Sequence, residues 1–460
     1  MAKLIRNREV SSFELVSAHL DRIQQVNPAV NAVTDLLADS ALRQAEAADR
    51  MLASGGECGP LHGVPFSIKD SIDVEGRTTT AGTTGRKNAP PALKDATLVH
   101  RLRYAGGIPI AKTNLPDLLF AYESDNLIFG RTNNPYDLSR TPGGSSGGES
   151  ALIAACGSPL GLGSDAAGSV RIPAHFCGIA SIKPTRGRLP RTGHVPPAGG
   201  WIEGLWQIGP MARHTEDLLL AMELLAGEDS LDLSSPPVSL MRAENLQQTR
   251  VAFFTDNGIA RCTGEIANAV RRCADFLSQG GMIVEEQTPP GIDQAYELEL
   301  ALLGADRGEG IDAYLEAEGS TRVHPLLTGF MDRFRPFRAG ASEFAARWAQ
   351  WDEYRSRIAH FFEQFDAILC PVYTKPALAH GDSIKGNNFE GFSYTMAWNV
   401  AGTPAATVRC AETDGLPINV QIVTKPWRDM LALEICQLIE TQFGGWQMPS
   451  IFPQHLRHYA

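Results

Sequence analysis

Residues 143–171 read GGSSGGESALIAACGSPLGLGSDAAGSVR, an unusual stretch that is dense in glycine and serine. Such a composition is typical of flexible, low-complexity linkers. Here, however, the glycines and serines stand between apolar segments rather than within a polar tract. Because glycine reaches backbone conformations that are closed to other residues, we interpret this stretch as tightly folded backbone.

Helical and extended patterns alternate along the rest of the chain. Residues 98–111 pass from a helical pattern to a strand pattern. Ser11 and Glu14 form a capping box that opens an amphipathic helix, which we expect to end at Asn27-Pro28. Further predicted elements are helices at 36–52 and 265–279 and strands at 64–70 and 251–254. This alternation predicts an α/β fold, a β-sheet covered by helices.

The composition of the 460-residue chain, 43% hydrophobic and 20% charged, is ordinary for a globular protein. A net charge of −11 argues against a surface that binds nucleic acid. No apolar run approaches the ~20 residues that span a bilayer, and residues 1–10 lack the apolar core of a secretory signal. The eight cysteines are scattered without a C-x-x-C pair, which favours reduced thiols. We therefore expect a cytoplasmic enzyme.

Lys69 is a candidate general base. A serine hydroxyl is a poor nucleophile until a base accepts its proton, and a neutral lysine can be that base. The amine of a free lysine titrates near ~10.4, so it must be buried or lie beside another cation to be neutral near pH 7. Lys69 is flanked by Phe66, Ile68 and Ile72. Taken alone, a lysine in this setting is more often a structural ion-pair residue than a base.

Other catalytic motifs fit the sequence less well. Gly143-x-Ser145-x-Gly147 matches the nucleophile elbow of α/β-hydrolases, which needs a strand directly before the serine. Residues 133–142 (NNPYDLSRTP) read as a loop instead. The S-x-x-K, H-E-x-x-H and Walker motifs are absent, so metal and phosphate chemistry lack support. His455 and His458 form only a weak pair, which is more typical of a surface than of a metal site.

Three segments together resemble the motif blocks of the amidase signature family. They are residues 63–70 (GVPFSIKD), 143–148 (GGSSGG) and 165–171 (DAAGSVR). The resemblance continues in residues 112–114 (KTN), 182–185 (IKPT) and 399–405 (NVAGTPA). It touches nearly the whole chain and is weakest from about residue 230 to 390.

The resemblance implies a fold. We expect one α/β/α domain over residues 1–460, with a central mixed, twisted sheet covered by helices on both faces. Residues 291–390 are expected to form a variable cap over a substrate channel. Aromatic residues of that region and beyond could line the channel or pack in the core, namely Phe330, Phe334, Phe337 and Tyr394.

The resemblance also implies roles for individual residues. Lys69 would be the base, Ser145 the bridging serine after a cis peptide bond, and Ser169 the nucleophile. Backbone N–H groups would form the oxyanion hole, those of Ala166, Ala167, Gly168 and Ser169. Side chains would support this loop by hydrogen bonds, those of Ser146, Asp165 and Arg171.

Ala167 departs from the family pattern, in which a glycine commonly stands at this position. An alanine would be strained if the position required a positive φ. We therefore expect a φ at Ala167 that alanine can adopt, and an oxyanion hole that survives.

The function implied by the resemblance is hydrolysis of amide bonds without a metal or cofactor. Residues 147–153 and 158–163 resemble the fatty-acid-amide-hydrolase-like branch of the family, which favours a small-molecule apolar or aromatic amide. Esters and carbamates (urethanes) are further expected substrates, because their carbonyl groups have similar geometry. The alternative is a glutaminase component of a multi-subunit amidotransferase. A catalytically inactive binding protein is disfavoured by the three catalytic side chains. The chain itself is expected to be a monomer or homodimer.

Overall fold

The computed structural model describes residues 1–197, 201–243 and 245–450, so His455 and His458 lie outside the described residues. The described residues form eleven strands that join in one sheet. In chain order they are β1 (Val33–Leu36), β2 (Pro65–Lys69), β3 (Ile108–Thr113), β4 (Leu160–Asp165), β5 (Ala180–Lys183), β6 (Gln207–Ala212), β7 (Arg250–Phe253), β8 (Ile283–Glu286), β9 (Ala367–Pro371), β10 (Ala405–Thr413) and β11 (Leu416–Thr424).

The sheet is mixed, as predicted. Its strand order is β1-β3-β2-β4-β6-β5-β10-β11-β9-β7-β8. β2 runs parallel to β3 and to β4, and β7 runs parallel to β8 and to β9. The other pairs of neighbours are antiparallel. Because β2 and β4 are adjacent and parallel, their carboxyl ends meet at the same edge of the sheet.

Helices cover both faces of the sheet. In chain order they are α1 (Ala2–Arg6), α2 (Ser12–Val30), α3 (Ala38–Ala53), α4 (Thr97–Tyr104), α5 (Gly147–Ala154), α6 (Arg171–Cys177), α7 (Thr215–Leu225), α8 (Gly264–Gln279), α9 (Ala295–Leu303), α10 (Glu309–Ala317), α11 (Pro325–Phe334), α12 (Ala341–Gln364), α13 (Ser393–Ala401) and α14 (Asp429–Phe443). Successive side chains of a strand point to opposite faces. In β9, Ala367 and Leu369 belong to the buried cluster that also contains residues of α4, α7, α8 and α14. Ile368 and Cys370 belong to the cluster that contains residues of α9, α11, α12 and α13.

The predicted start of α2 is confirmed, but its predicted end is wrong. Ser11 Oγ accepts a hydrogen bond from the Glu14 N–H, and the Glu14 carboxylate accepts one from the Ser11 N–H. The helix continues through Asn27-Pro28 and closes at Asn31, which is left-handed with a φ of 49°. A proline lacks only its own N–H bond to the preceding turn, and the end of this helix tolerates that loss.

The predicted cap at 291–390 is corrected in part. Residues 367–371 are β9, an interior strand between β11 and β7, so they belong to the sheet. Their apolar run is buried on both faces, which explains why it shows no surface pattern. Also in this region, α12 buries Trp351, Tyr354 and Phe361. Within the described residues, no helix is both long and apolar enough to cross a membrane.

Candidate active site

Lys69 stands at the carboxyl end of β2, fully buried. Its Nζ lies 2.6 Å from Ser145 Oγ, 3.1 Å from Ser164 Oγ and 3.5 Å from Ser164 O. Burial lowers the pKa of the Lys69 amine well below its ordinary value, although the carboxylates of Asp165 and Glu149 act in the opposite direction. An uncharged amine in contact with a serine hydroxyl can accept its proton.

Ser145 lies in a tight loop before α5, where the Gly144–Ser145 peptide bond is cis. A Cβ atom at Gly144 would lie 2.6 Å from the Ala121 carbonyl oxygen, so only glycine fits there. Ser146 joins this loop to the next one: its N–H donates to the Ser169 carbonyl at 3.1 Å. The dense glycine and serine stretch is therefore tightly packed backbone, as predicted from its apolar flanks.

The loop that carries Ser169 is built around the buried Asp165. This carboxylate accepts five hydrogen bonds, from the N–H groups of Gly168 and Val170, from Nε and a terminal nitrogen of Arg171, and from Asn399 Nδ2. Burial alone would raise the pKa of Asp165, but the Arg171 guanidinium and these hydrogen bonds lower it to about 2. These hydrogen bonds join Asp165 to the loop that carries Ser169, to Arg171 at the start of α6 and to Asn399 on α13.

The predicted role of Gly168 in the oxyanion hole is corrected. Its N–H donates to Asp165 Oδ1 at 2.7 Å, so it is not free for a substrate. Within the described residues, the N–H groups of Ala166, Ala167 and Ser169 have no acceptor. Gly168, with a φ of 127°, is the residue of this loop that needs glycine, whereas φ at Ala167 is not positive. Alanine can therefore adopt the backbone conformation at position 167, as expected.

Ser145 and Ser169 open into the same cavity, which has a volume of about 120 Å³. No hydrogen bond joins their two hydroxyl groups in the part of the chain that is described. Most of the lining is apolar or aromatic, including Phe120, Tyr122, Ile202, Trp206, Leu303 and Phe330. Of the four aromatic residues considered from the sequence, Phe330 lines the cavity, while Phe334, Phe337 and Tyr394 do not.

A model of the Amidase family matches residues 14–433. The chain belongs to the Amidase family. Indoleacetamide hydrolase of Bradyrhizobium diazoefficiens is 34% identical over 453 residues, which cover 96% of this chain and 86% of that protein. A glutamyl-tRNA(Gln) amidotransferase component from Heliobacterium modesticaldum is 30% identical, over 96% of this chain and 95% of its own. The solved structure of 6-aminohexanoate cyclic dimer hydrolase with substrate has a TM-score of 0.88 and 27% identity, with 98% of each chain covered.

This amidase is thus a hydrolase of amide C–N bonds, and the resemblance to amidase signature enzymes is confirmed. Its fold matches as well, because 98% of the chain superposes on a member of known structure. Membership of the family establishes the class of reaction. The choice of substrate depends on the side chains that line the cavity of this particular chain.

Sequence reasoning missed His194, which lies in the cavity wall and extends the contacts of the base. His194 Nε2 lies 3.1 Å from Ser164 Oγ and 3.0 Å from Ser71 Oγ, and Nδ1 lies 3.1 Å from the Pro196 carbonyl oxygen. A carbonyl only accepts, which assigns the hydrogen to Nδ1 and leaves Nε2 as an acceptor. Burial lowers the pKa of His194 to about 3, so the amidase holds this ring neutral.

Sequence reasoning also missed Ser164 and Glu299. Ser164 directly precedes Asp165 in the third motif block, so its position was a signal that could have found it. Glu299 lies on α9 and lines the cavity from a segment distant in sequence from all three motif blocks. Nothing in the local sequence of α9 marks Glu299 as different from an ordinary surface glutamate.

Proposed function

We propose that this amidase hydrolyses apolar or aromatic carboxamides through an acyl-enzyme on Ser169, with Ser145 as proton relay and Lys69 as base. The observation that carries the proposal is the 2.6 Å contact between Lys69 Nζ and Ser145 Oγ, made by a fully buried lysine. A neutral amine has two N–H groups and one lone pair. The N–H groups face the two oxygens of Ser164, which leaves the lone pair for the Ser145 hydroxyl.

The proposed reaction begins with two proton transfers and one attack. Lys69 takes the proton of Ser145, and Ser145 takes the proton of Ser169. Ser169 Oγ then bonds to the carbonyl carbon, and the carbonyl electron pair moves to oxygen. The free N–H groups of Ala166, Ala167 and Ser169 are the proposed donors to this oxyanion, and all three residues line the cavity.

Collapse of the tetrahedral intermediate breaks the C–N bond. The leaving nitrogen receives the proton held on Lys69, which passes through Ser145. Water then attacks the acyl-enzyme and gives its proton to the same relay, and Ser169 leaves with a proton returned to its oxygen. The products are a carboxylic acid and an amine or ammonia, and every group of the protein ends in its starting state.

The cavity supports an apolar or aromatic substrate. Its described lining contains no lysine or arginine, so a substrate carboxylate would have no cation to pair with. This argues against free glutamine, the substrate expected of an amidotransferase component, although one such protein is 30% identical to this chain. Esters and carbamates present the same carbonyl to the oxyanion donors, and we include them among the proposed substrates.

A substrate panel tests the proposal. The purified chain is assayed with an aryl anilide, a long-chain acyl amide, an aryl carbamate and glutamine, beside Ser169→Ala. We expect cleavage of the apolar members, and a loss on the order of 10³-fold or more in kcat for the variant. Ser150→Ala, which removes a buried hydroxyl on α5 outside the cavity lining, is the matched control. Cleavage of glutamine alone, or turnover that survives in Ser169→Ala, would contradict the proposal.

A further inference from the structure

Glu299 is a buried carboxyl group without a partner in the wall of the cavity. The residue is completely buried on α9. Neither of its two carboxyl oxygens has a hydrogen-bond partner among the described residues. Buried polar groups in proteins are nearly always paired, and an unpaired one costs its full desolvation free energy. A lone carboxyl beside a reactive serine therefore calls for a partner from outside the chain.

Among the described residues, the cavity lining around Glu299 contains no lysine or arginine. Leu303 and Phe330 line the same cavity, and Tyr122 directs its hydroxyl to the Ala167 carbonyl instead. The guanidinium of Arg171 is committed to Asp165 and Asn399 and to other acceptors. Burial and the charge of Asp165 raise the pKa of Glu299 well above its ordinary value, against the weaker effect of Arg171. Both effects favour the uncharged form of this carboxyl group.

A neutral carboxyl group accepts a hydrogen bond through its carbonyl oxygen. A neutral donor makes that hydrogen bond without bringing charge into the cavity. A substrate ammonium group would have to leave water and enter an apolar site, which is costly. Trp206, Tyr122 and Phe330 add aromatic side chains to the lining, which favours an aromatic group in the substrate. An aromatic ring that carries one N–H or O–H group meets both requirements.

We propose that Glu299 determines specificity by accepting a hydrogen bond from a neutral N–H or O–H group on the aromatic part of the substrate amide. This inference rests on the proposed function, because it places that aromatic group beside Ser169. It narrows the substrate class from apolar amides in general to aromatic amides with one ring donor. The same site would bind ring analogues without the donor more weakly.

Two primary amides of equal shape test the inference. Indole-3-acetamide has a ring N–H, and benzofuran-3-acetamide has an oxygen in its place. Ammonia is the leaving group for both, so only the ring can fill the apolar cavity. We expect kcat/KM to favour the indole by roughly 2- to 13-fold, the size of one neutral hydrogen bond. Equal kcat/KM values for the two amides would overturn the inference.

Three variants assign the preference to Glu299. Glu299→Leu removes the acceptor and should bring the ratio close to one, whereas Glu299→Gln keeps an acceptor oxygen and should retain most of it. Glu297→Gln, on the exposed side of the same helix, is the matched control and should leave the ratio unchanged. Thermal melting checks that each variant is folded. A ratio that survives in folded Glu299→Leu would overturn the inference, and so would a Glu299-dependent preference for 3-(aminomethyl)phenylacetamide over 3-methylphenylacetamide.

Binding separates this inference from the proposed function. The dissociation constants of both amides are measured by calorimetry on Ser169→Ala, with and without Glu299→Leu. A Glu299-dependent preference in binding, without turnover by the unmodified chain, would support the inference and contradict the proposed hydrolysis. Serine-dependent turnover with equal binding of the two amides would contradict the inference alone.

Discussion

Two buried carboxyl groups face the same cavity and differ in almost every other respect. Asp165, at the end of β4, accepts five hydrogen bonds and has a pKa lowered to about 2. Glu299, on α9, has no partner among the described residues and has a raised pKa. The Asp165 carboxylate has its hydrogen-bond partners before any substrate binds, and we call the part of the cavity that it supports the completed wall. The Glu299 carboxyl lacks such partners among the described residues, and we call its part of the cavity the unpaired wall.

The difference follows from what each wall must do. Groups that stabilise charge in a transition state work best when they are fixed in advance, because no reorganisation is then needed during the reaction. The paired Asp165 fixes the loop of Ser169 in this way. A group that distinguishes substrates must instead be without a hydrogen-bond partner until the substrate binds. A site with such a polar group rejects ligands that leave the group unpaired. Glu299 has that property.

The largest effect is expected from removing Lys69, the proposed base. Lys69→Met should lower kcat on the order of 10³-fold or more, because no other neutral amine contacts Ser145 in the described residues. Steady-state kinetics on the most rapidly cleaved amide measures the loss. Lys183→Met is the control, since Lys183 is also a buried lysine but donates to the carbonyls of Pro184 and Thr403. An equal loss of kcat in both variants would contradict a specific role for Lys69, because removing either buried lysine would then have the same effect.

Replacing each carboxyl by its amide sharpens the comparison in terms of stability. Asp165→Asn leaves the buried charge of Arg171 without its partner and should cost about 3–5 kcal/mol in the free energy of unfolding. Glu299→Gln breaks no existing hydrogen bond and, at pH 4, should change that free energy by about 1 kcal/mol or less. Urea unfolding followed by fluorescence measures both. A larger loss of stability from Glu299→Gln than from Asp165→Asn would contradict the conclusion that Asp165 is the carboxyl group with partners and Glu299 the one without them.

The two carboxyls should affect stability with opposite dependence on pH. The folded pKa of Asp165, about 2, lies below its ordinary 3.8, so its contribution of about 2 kcal/mol is present above pH 4 and is lost as pH falls through 2. The folded pKa of Glu299 lies above its ordinary 4.5. The unfolded chain therefore releases this proton first, and Glu299 lowers stability as pH rises above about 4.5.

Unfolding at several pH values separates these contributions. The stability gained by Glu299→Gln relative to the unmodified chain should increase from pH 4 to pH 8. The stability lost by Asp165→Asn should shrink as the pH is lowered from 4 toward 2. A difference between the unmodified chain and Glu299→Gln that stays constant with pH would show that Glu299 ionises normally.

The smallest effect is expected from Ala167→Gly. Ala167 has no positive φ, so glycine adds only flexibility and should cost about 0.5–1 kcal/mol in stability with kcat nearly unchanged. Gly168→Ala is the contrasting variant: φ at Gly168 is 127°, and a Cβ there would lie 2.3 Å from Thr395 Oγ1. It should damage both kcat and stability more. Equal effects of the two substitutions would contradict the difference in φ between Ala167 and Gly168.

Much of this outcome could be predicted because the reaction requires particular residue types in short, ordered motifs. Lys69, Ser145 and Ser169 were candidates from the sequence, and the structure places both serines in one cavity and Lys69 in contact with Ser145. The error at Gly168 has a physical cause, since the direction of one N–H depends on where the Asp165 carboxylate lies. The assignment of β9 to a cap failed because a strand buried on both faces has no alternating pattern.

The burial of Glu299 could not be predicted from the sequence. Helix α9 reads AYELELALL, in which Glu297 and Glu299 are separated by one residue. Glu297 is exposed and Glu299 is completely buried. Glu299 shares its cavity with Tyr122, Phe330 and other residues that are distant from it in sequence, so the local pattern cannot distinguish the two glutamates.

The sequence by itself determined the family, the α/β fold and the candidate catalytic side chains, because these depend on residue types and their order. Only the tertiary structure decided which groups are charged and which hydrogen bonds are free. The amine of Lys69, the carboxylate of Asp165 and the carboxyl of Glu299 have ordinary pKa values in an extended chain. Burial and neighbours from distant segments shift the three values in different directions, because the free energy of a charge depends on its surroundings.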